Sequence, residues 1–308
     1  VSSTHTSLWT APWRLPLVRP ILVAGADAPL VHRDGVLVRI HDEDSGKNTW
    51  ADACPLPGLS PDTLTDVINA VEGEHSNELP PSLLWALHSA QPIETLQQAS
   101  TSTALLLDDV RAPVPALSPG ATVKLKVGRR SLEEDLDRVV EVACAVRKAG
   151  GMLRLDGNRR LDVAGATALA AAAGDVLAFF EEPVPAAQLR ALPTWLPLAL
   201  DEWLDELFAH GGLSRLPTAV AWVVKPMVLG ADVTQRLVEA AVRRSITVVV
   251  SSAYESMVGR AGLAVFAAEV DRGSGMPVVH GLGTGAAFAI DLELDEQRLL
   301  ALPWKRWR

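Results

Sequence analysis

Lysines and carboxylates recur in this sequence where short apolar runs stop. Lys126 closes TVKLK, with Lys124 two residues earlier; Asp156 closes MLRLD and opens DGN; Glu181 and Glu182 follow VLAFF. Asp201 and Glu202 follow PLAL, Lys225 follows AWVV, and Ser251 and Ser252 follow ITVVV. If these ends meet, Asp156, one glutamate of the 181–182 pair and Asp201 would repel one another, and each would tend to take up a proton. A divalent cation resolves that conflict. Oxygen ligands without imidazole or thiolate select a hard ion such as Mg2+. The histidines do not gather with these ends, His280 apart, which argues against zinc. Lys124 and Lys126 alternate with Val123, Leu125 and Val127, so the two amines share one strand face. A second ammonium nearby and partial burial both favour a neutral Lys126, the form that acts as a base. A metal beside a neutral lysine suits removal of the proton next to a carboxylate. The enediolate so formed carries two charged oxygens that a divalent ion stabilises, while the lysine moves the proton.

Those residues need a scaffold that brings separate strand ends together. From about residue 101 the chain alternates short apolar strands with helices: TALLL, TVKLKV, MLRLD, VLAFFEE, PLALDE, AWVVKP, ITVVVSS and PVVHG are the strands. Such alternation implies a parallel sheet joined by crossover helices, and eight units suggest a barrel. In a barrel the C-terminal strand ends form one face. The plain alternative for any single charged end is the first polar residue of a loop, a helix cap, or a partner for a rim arginine.

The first 95 or so residues read differently. WRLPLVRPILVA, GVLVRIHDED and NTWADACPL predict a three-stranded meander with HRDG as a turn. SPDTLTDVINAVEG predicts a helix opened by Ser60 and Pro61, and PPSLLWALHSAQPIETL a second helix. That is an α+β pattern. The chain of 308 residues is 48% hydrophobic, with net charge −9 and its 28 lysines and arginines scattered. It has room for a large domain and a smaller one, and no basic stripe for nucleic acid. No run reaches the roughly 18 apolar residues of a membrane span, and the start lacks the layout of a secretory signal. Cys54 and Cys144 have no motif spacing, which fits a reducing cytoplasm. Oligomeric state is not legible.

KLK, DGN, FFEEP, LALDE, VVKP and SSAYES, in this order, resemble the enolase superfamily, in its muconate-lactonizing branch with a lysine on each side of the pocket; a lysine base with Mg2+ stabilising an enediolate is chemistry associated with that superfamily. The resemblance implies a modified (β/α)7β TIM-type barrel over residues 99–285. It also implies an α+β capping domain over 1–98, with the tail 286–308 packing back on it. It implies Asp156, Glu181 and Asp201 as ligands of Mg2+, with Mn2+ able to substitute. Strand alternation lets only one of Glu181 and Glu182 face the pocket; the resemblance selects the first. Lys126 becomes the acid/base and Lys225 its opposite number, with Lys124 and Asn158 as neighbours. WADACPLPGLSPDTL and SSAYES resemble the o-succinylbenzoate synthase group, hydro-lyases that dehydrate a cyclohexadiene carboxylate in menaquinone biosynthesis. In that reading Lys225 lies over the ring, Ser251 and Ser252 touch the substrate or support the residues that do, and the backbone N–H groups of GLGTG, those of Gly281 and Gly283 among them, face a substrate carboxylate. LVAGADAPLVHRDG resembles a mobile cap loop, with Arg33 either a substrate contact or an exposed turn residue. VVHGLGTGAA lacks the Asp-x-Asp that dipeptide epimerases of the branch carry there. A racemase or cycloisomerase of the same branch is the alternative, and a non-catalytic barrel a third.

Overall fold

The computed structural model describes residues 5–23, 25–73, 78–107, 112–204 and 218–307. The chain divides into two compact units: Val1–Thr101 with Lys225–Val238 and Val250–Arg308, and Ser102–Val224 with Glu239–Val249. Its fold is an antiparallel α+β domain of capping type and a (β/α)7β TIM-type sheet.

In the first unit β1 (Thr6–Ile21), β2 (Leu30–Asp42) and β3 (Asn48–Ala53) form an antiparallel meander, and β11 (Lys305–Arg306) adds to the free side of β1. Alternate residues Val36 and Val38 of β2 and Ala51 and Ala53 of β3 turn one face toward Val67 and Val71 of helix α1 (Leu64–Glu72) and Leu83 and Ala86 of α2 (Pro81–Ser89).

Three expectations change here. HRDG is not a turn: Arg33, Asp34 and Gly35 lie inside β2, paired with Leu15, Arg14 and Trp13. Gly35 is there because the Trp13 ring crosses it; a Cβ would sit 2.5 Å from the indole. α1 starts four residues after Ser60. Thr63 caps it in a reciprocal box with Asp66, while Ser60 Oγ accepts the Leu56 N–H and Asp62 accepts from Ser82 at the start of α2. The single helix expected over 80–96 is two, α2 and α3 (Ile93–Gln98). Pro92 has no N–H to continue α2 and holds Gln91 extended, where it bridges to Trp50.

The seven-stranded sheet runs β10-β9-β8-β7-β6-β5-β4, every assigned ladder within it parallel. The strands are β4 (Leu105–Leu107), β5 (Thr122–Lys126), β6 (Met152–Asp156), β7 (Leu177–Glu181), β8 (Leu198–Leu200), β9 (Ala221–Val224) and β10 (Thr247–Val250). The eighth strand expected at PVVHG is reduced to one parallel bridge, Ser251 with Gly281. Helix α4 (Leu132–Lys148) opens on a Ser131–Glu134 capping box and α5 (Val163–Ala173) on Asp162. Between β7 and β8 the crossover holds one 3-10 segment, Ala186–Ala191. Among the described residues, no helix is long and apolar enough to cross a membrane.

Candidate active site

Register decides which side chains meet. Lys126 of β5 stands opposite Asp156 of β6, and Asp156 opposite Glu181 of β7. In-register residues of neighbouring parallel strands point to one face, so these three form a row at the C-terminal edge. Two residues back, Lys124, Arg154 and Phe179 form a second row on that face. The opposite face presents Val123, Leu125, Leu153, Leu155 and Phe180, all fully buried.

Lys124 reaches up from the lower row. Its ammonium lies 2.7 and 2.8 Å from the two oxygens of Glu181 and 3.0 Å from Oδ2 of Asp156. Both carboxylates are buried, and between them they hold a cation. This alters the role expected for Lys124: two carboxylates engage its charge and offset its field at Lys126. Arg154, which the sequence reading passed over, is also buried in this row, over the Phe179 ring. Burial pulls its guanidinium down to about 10, with Glu181 acting the other way. Its signal was available: Arg154 is two residues before Asp156, hence on the same face.

Glu181 and Glu182 separate as alternation requires. Glu182 turns away with φ of 43°, in the left-handed region. Its Oε1 accepts the backbone N–H of Asp201 at 2.8 Å and of Trp203 at 3.2 Å, and its Oε2 takes Arg159 Nε at 2.8 Å. Burial pushes this carboxyl up to about 8 against the pull of Arg159. The loop after β6 is equally constrained. Gly157 passes so close to Pro183 that a Cβ would lie 2.8 Å from its Cα. Asn158, at φ of 42°, donates its N–H to Asp156 Oδ1 at 3.1 Å. Left-handed non-glycine residues at 158, 159 and 182 mark a strained edge of the kind that gathers at functional sites.

Asp201 is buried just past β8. Among the described residues, no three His, Cys, Asp or Glu side chains are grouped as ligands of one ion. Asp156 and Glu181 do converge, and the ammonium they clasp is a stand-in for a cation. Their all-oxygen chemistry is of the kind a hard divalent ion takes.

The other unit carries the remaining residues. Lys225 is half-buried, and its carbonyl accepts the N–H groups of Val228 and Leu229. Ser252 Oγ pairs with Thr284 Oγ1 at 2.5 Å, and Ser251 Oγ reaches the Gly281 carbonyl at 3.5 Å. Gly281 is tight: a Cβ would lie 2.9 Å from Ser251 Oγ. Gly283 opens a 3-10 turn, Gly283–Ala287. His280 is fully buried; its Nδ1 accepts the Val250 N–H, and its Nε2 faces Asp271 at 3.3 Å. Arg33 is not an exposed turn residue. It is buried in β2, and its guanidinium donates to the carbonyls of Cys54, Pro55, Ala253 and Tyr254. One side chain thereby ties the segment after β3 to the segment after β10.

Beside that clamp sit two buried acids the sequence reading missed. Asp52 accepts from Trp13 Nε1 and from both the N–H and hydroxyl of Ser256. Glu255 accepts the Ala253 N–H at 2.8 Å. Burial, then Asp52, push Glu255 up to about 7 from an ordinary 4.5, with Arg33 opposing. Between those values the folded chain holds a proton that the unfolded chain has released, so stability falls as pH rises. The loss from this group levels off above pH 7 at about 3 kcal/mol. Glu255→Gln keeps an acceptor for Ala253 and has no proton to lose. Urea unfolding should show the variant gaining on the wild type from pH 4.5 to 7 and holding its lead at pH 8; a pH-independent difference would refute the assignment.

The comparisons agree with this architecture. Residues 120–282 match the family model described as enolase C-terminal domain-like. A curated relative from Edwardsiella ictaluri, an o-succinylbenzoate synthase, is 30% identical over 279 residues, 82% of this chain and 84% of its own. Among solved structures, o-succinylbenzoate synthase from Thermosynechococcus elongatus BP-1, complexed with Mg in its active site, superposes with TM-score 0.62 at 21% identity, covering 96% of this chain and 98% of that one. A dipeptide epimerase from Methylococcus capsulatus, complexed with Mg and a dipeptide, gives TM-score 0.69 at 21% identity, with 92% of each chain covered. The fold is common to both solved structures, and the matched domain spans the lysine and carboxylate rows. This chain belongs to the enolase superfamily.

Proposed function

We propose that this enzyme is an o-succinylbenzoate synthase, a hydro-lyase that dehydrates a hydroxy-succinyl-cyclohexadiene carboxylate to o-succinylbenzoate in menaquinone biosynthesis. One observation carries the reading: two buried carboxylates converge on the Lys124 ammonium one row from Lys126, on the same strand face. The relative from Edwardsiella ictaluri supports the choice of reaction. A divalent ion held by Asp156, Glu181 and Asp201 supplies, when bound, charge stabilisation for the carboxylate oxygens of the enediolate.

The chain's own residues do the rest. Lys126 takes the proton from the carbon bearing the ring carboxylate. The electron pair left behind moves into the carboxylate system. As it returns, the carbon–oxygen bond to the hydroxyl breaks, and Lys126 gives its proton to that oxygen. Water leaves and the ring is aromatic. Lys225 offers a cation to the delocalised ring anion, a role assigned on the family pattern. Ser251, Ser252 and the backbone N–H of Gly283 are assigned to the remaining carboxylate on the family pattern; Gly281, expected there too, instead gives its N–H to the Val250 carbonyl at 2.8 Å. The free thiols Cys54 and Cys144 suit a cytoplasmic setting.

The test is aromatisation of the cyclohexadiene carboxylate followed by ultraviolet absorbance, with Mg2+ present and after chelation. Turnover with Mg2+, lost on chelation and restored by Mg2+ or Mn2+, is the expected result. Racemisation of N-acylamino acids without any aromatisation would move the chain to the other reactions of the branch.

A further inference from the structure

Glu182 is the residue of the EEP run that the site reading sets aside, yet it is among the most buried charged groups in the chain, with its side chain sealed from solvent. Its contacts run outward from one carboxyl to both flanks of the edge. Oε1 is shared by the N–H groups of Asp201 and Trp203, the first residues of the turn that leaves β8. Oε2 holds Arg159, whose own N–H returns to the Glu182 carbonyl at 2.6 Å. The Arg159 guanidinium lies over the Trp203 ring at 5.1 Å, which closes the circuit. Neither Asp201 nor Asn158 sits on regular structure, so something outside the strands must fix them.

We infer that Glu182 is a positioning residue: by gripping the backbone amides of Asp201 and Trp203, and Arg159 beside Asn158, it sets where the Asp201 carboxylate stands relative to Asp156 and Glu181. The inference rests on the reading of Asp201 as a cation ligand. It explains why a strained, left-handed backbone persists at Glu182. Strand alternation already sends Glu181 to one side and Glu182 to the other; the left-handed backbone at Glu182 turns the chain out of the strand there. Substituents that orient a ligand commonly change metal affinity 10–100-fold when removed.

The experiment uses the full chain without substrate and Mn2+ as probe. Binding is read by electron paramagnetic resonance, and backbone protection over residues 201–204 by hydrogen exchange and mass spectrometry. Glu182→Leu removes both amide contacts. It should weaken Mn2+ binding about tenfold or more, broaden the bound-Mn2+ signal, and speed exchange at 201–204. Glu182→Gln keeps an oxygen for both amides and loses only the Arg159 contact. It should retain the wild-type affinity within about threefold and keep 201–204 protected. Should Glu182→Leu fail to fold, Glu182→Asp, too short to span both amides, should show the same loss. Mn2+ affinity and line shape in Glu182→Leu equal to wild type, or an equal loss in Glu182→Gln, would overturn the inference. Asp201→Asn separates the two readings. If it leaves Mn2+ binding intact, Asp201 is not a ligand and the proposal falls with that reading. If it weakens binding while Glu182→Leu does not, only the positioning role falls.

Discussion

Lys126→Ala should lower turnover of the cyclohexadiene carboxylate by about 100- to 10,000-fold, the range a positioned general base supplies. The size of the effect follows from where Lys126 stands. It is the last residue of β5, half-buried, in register with Asp156. Its amine is on the charged face of the sheet, at the edge where the strands end, whereas Lys124 in the row below is engaged by two carboxylates. The division of labour is therefore fixed by length and row. One lysine neutralises the acid pair, and the other is left at the edge where a substrate would arrive. Circular dichroism and Mn2+ affinity should be close to those of wild type, since alanine removes neither a strand contact nor a carboxylate. Turnover within tenfold of wild type would reject Lys126 as the base.

Lys124→Met tests the same edge through stability. Methionine preserves most of the apolar stem and deletes the charge. Asp156 and Glu181, both buried, then face each other without the ammonium that bridges them. Removing one partner of a buried ionic cluster commonly costs about 3–5 kcal/mol. Lys124 keeps 18% of its side chain exposed, so the lower end of that range applies. Urea unfolding in the presence of a chelator should show a deficit of about 3 kcal/mol. Mg2+ at millimolar concentration should narrow it, because the variant has no ammonium for the ion to displace, binds it more tightly than the wild type and so gains more stability from it. A deficit that Mg2+ leaves unchanged would mean the acid pair does not accept a divalent ion.

The strand ends were legible because period-two alternation and short apolar runs mark them without any tertiary information. TVKLK, MLRLD and VLAFFE emerge as β5, β6 and β7 with their charged residues at the edge. What stayed hidden depended on partners distant in sequence. HRDG has every local mark of a turn, and only the Trp13 ring, twenty-two residues away from Gly35, shows why a glycine sits in mid-strand. Arg33 reads as a surface arginine until four carbonyls from two separate segments surround it. Glu182 shares a dipeptide with Glu181, and nothing local distinguishes a residue that faces the site from one that grips the backbone behind it. The repulsion expected among the carboxylates also depended on a long-range fact: the amine of Lys124, one row down, is long enough to reach both Asp156 and Glu181.

One divalent ion is expected among the three carboxylates of Asp156, Glu181 and Asp201 beside Lys126. Crystals of the full chain soaked in Mn2+ and measured at the manganese absorption edge test it directly. The expected result is a single strong anomalous peak within about 2.5 Å of carboxylate oxygens from Asp156, Glu181 and Asp201, with the Lys124 amine displaced from between the first two. A peak elsewhere, or none with Lys124 still bridging Asp156 and Glu181, would contradict it.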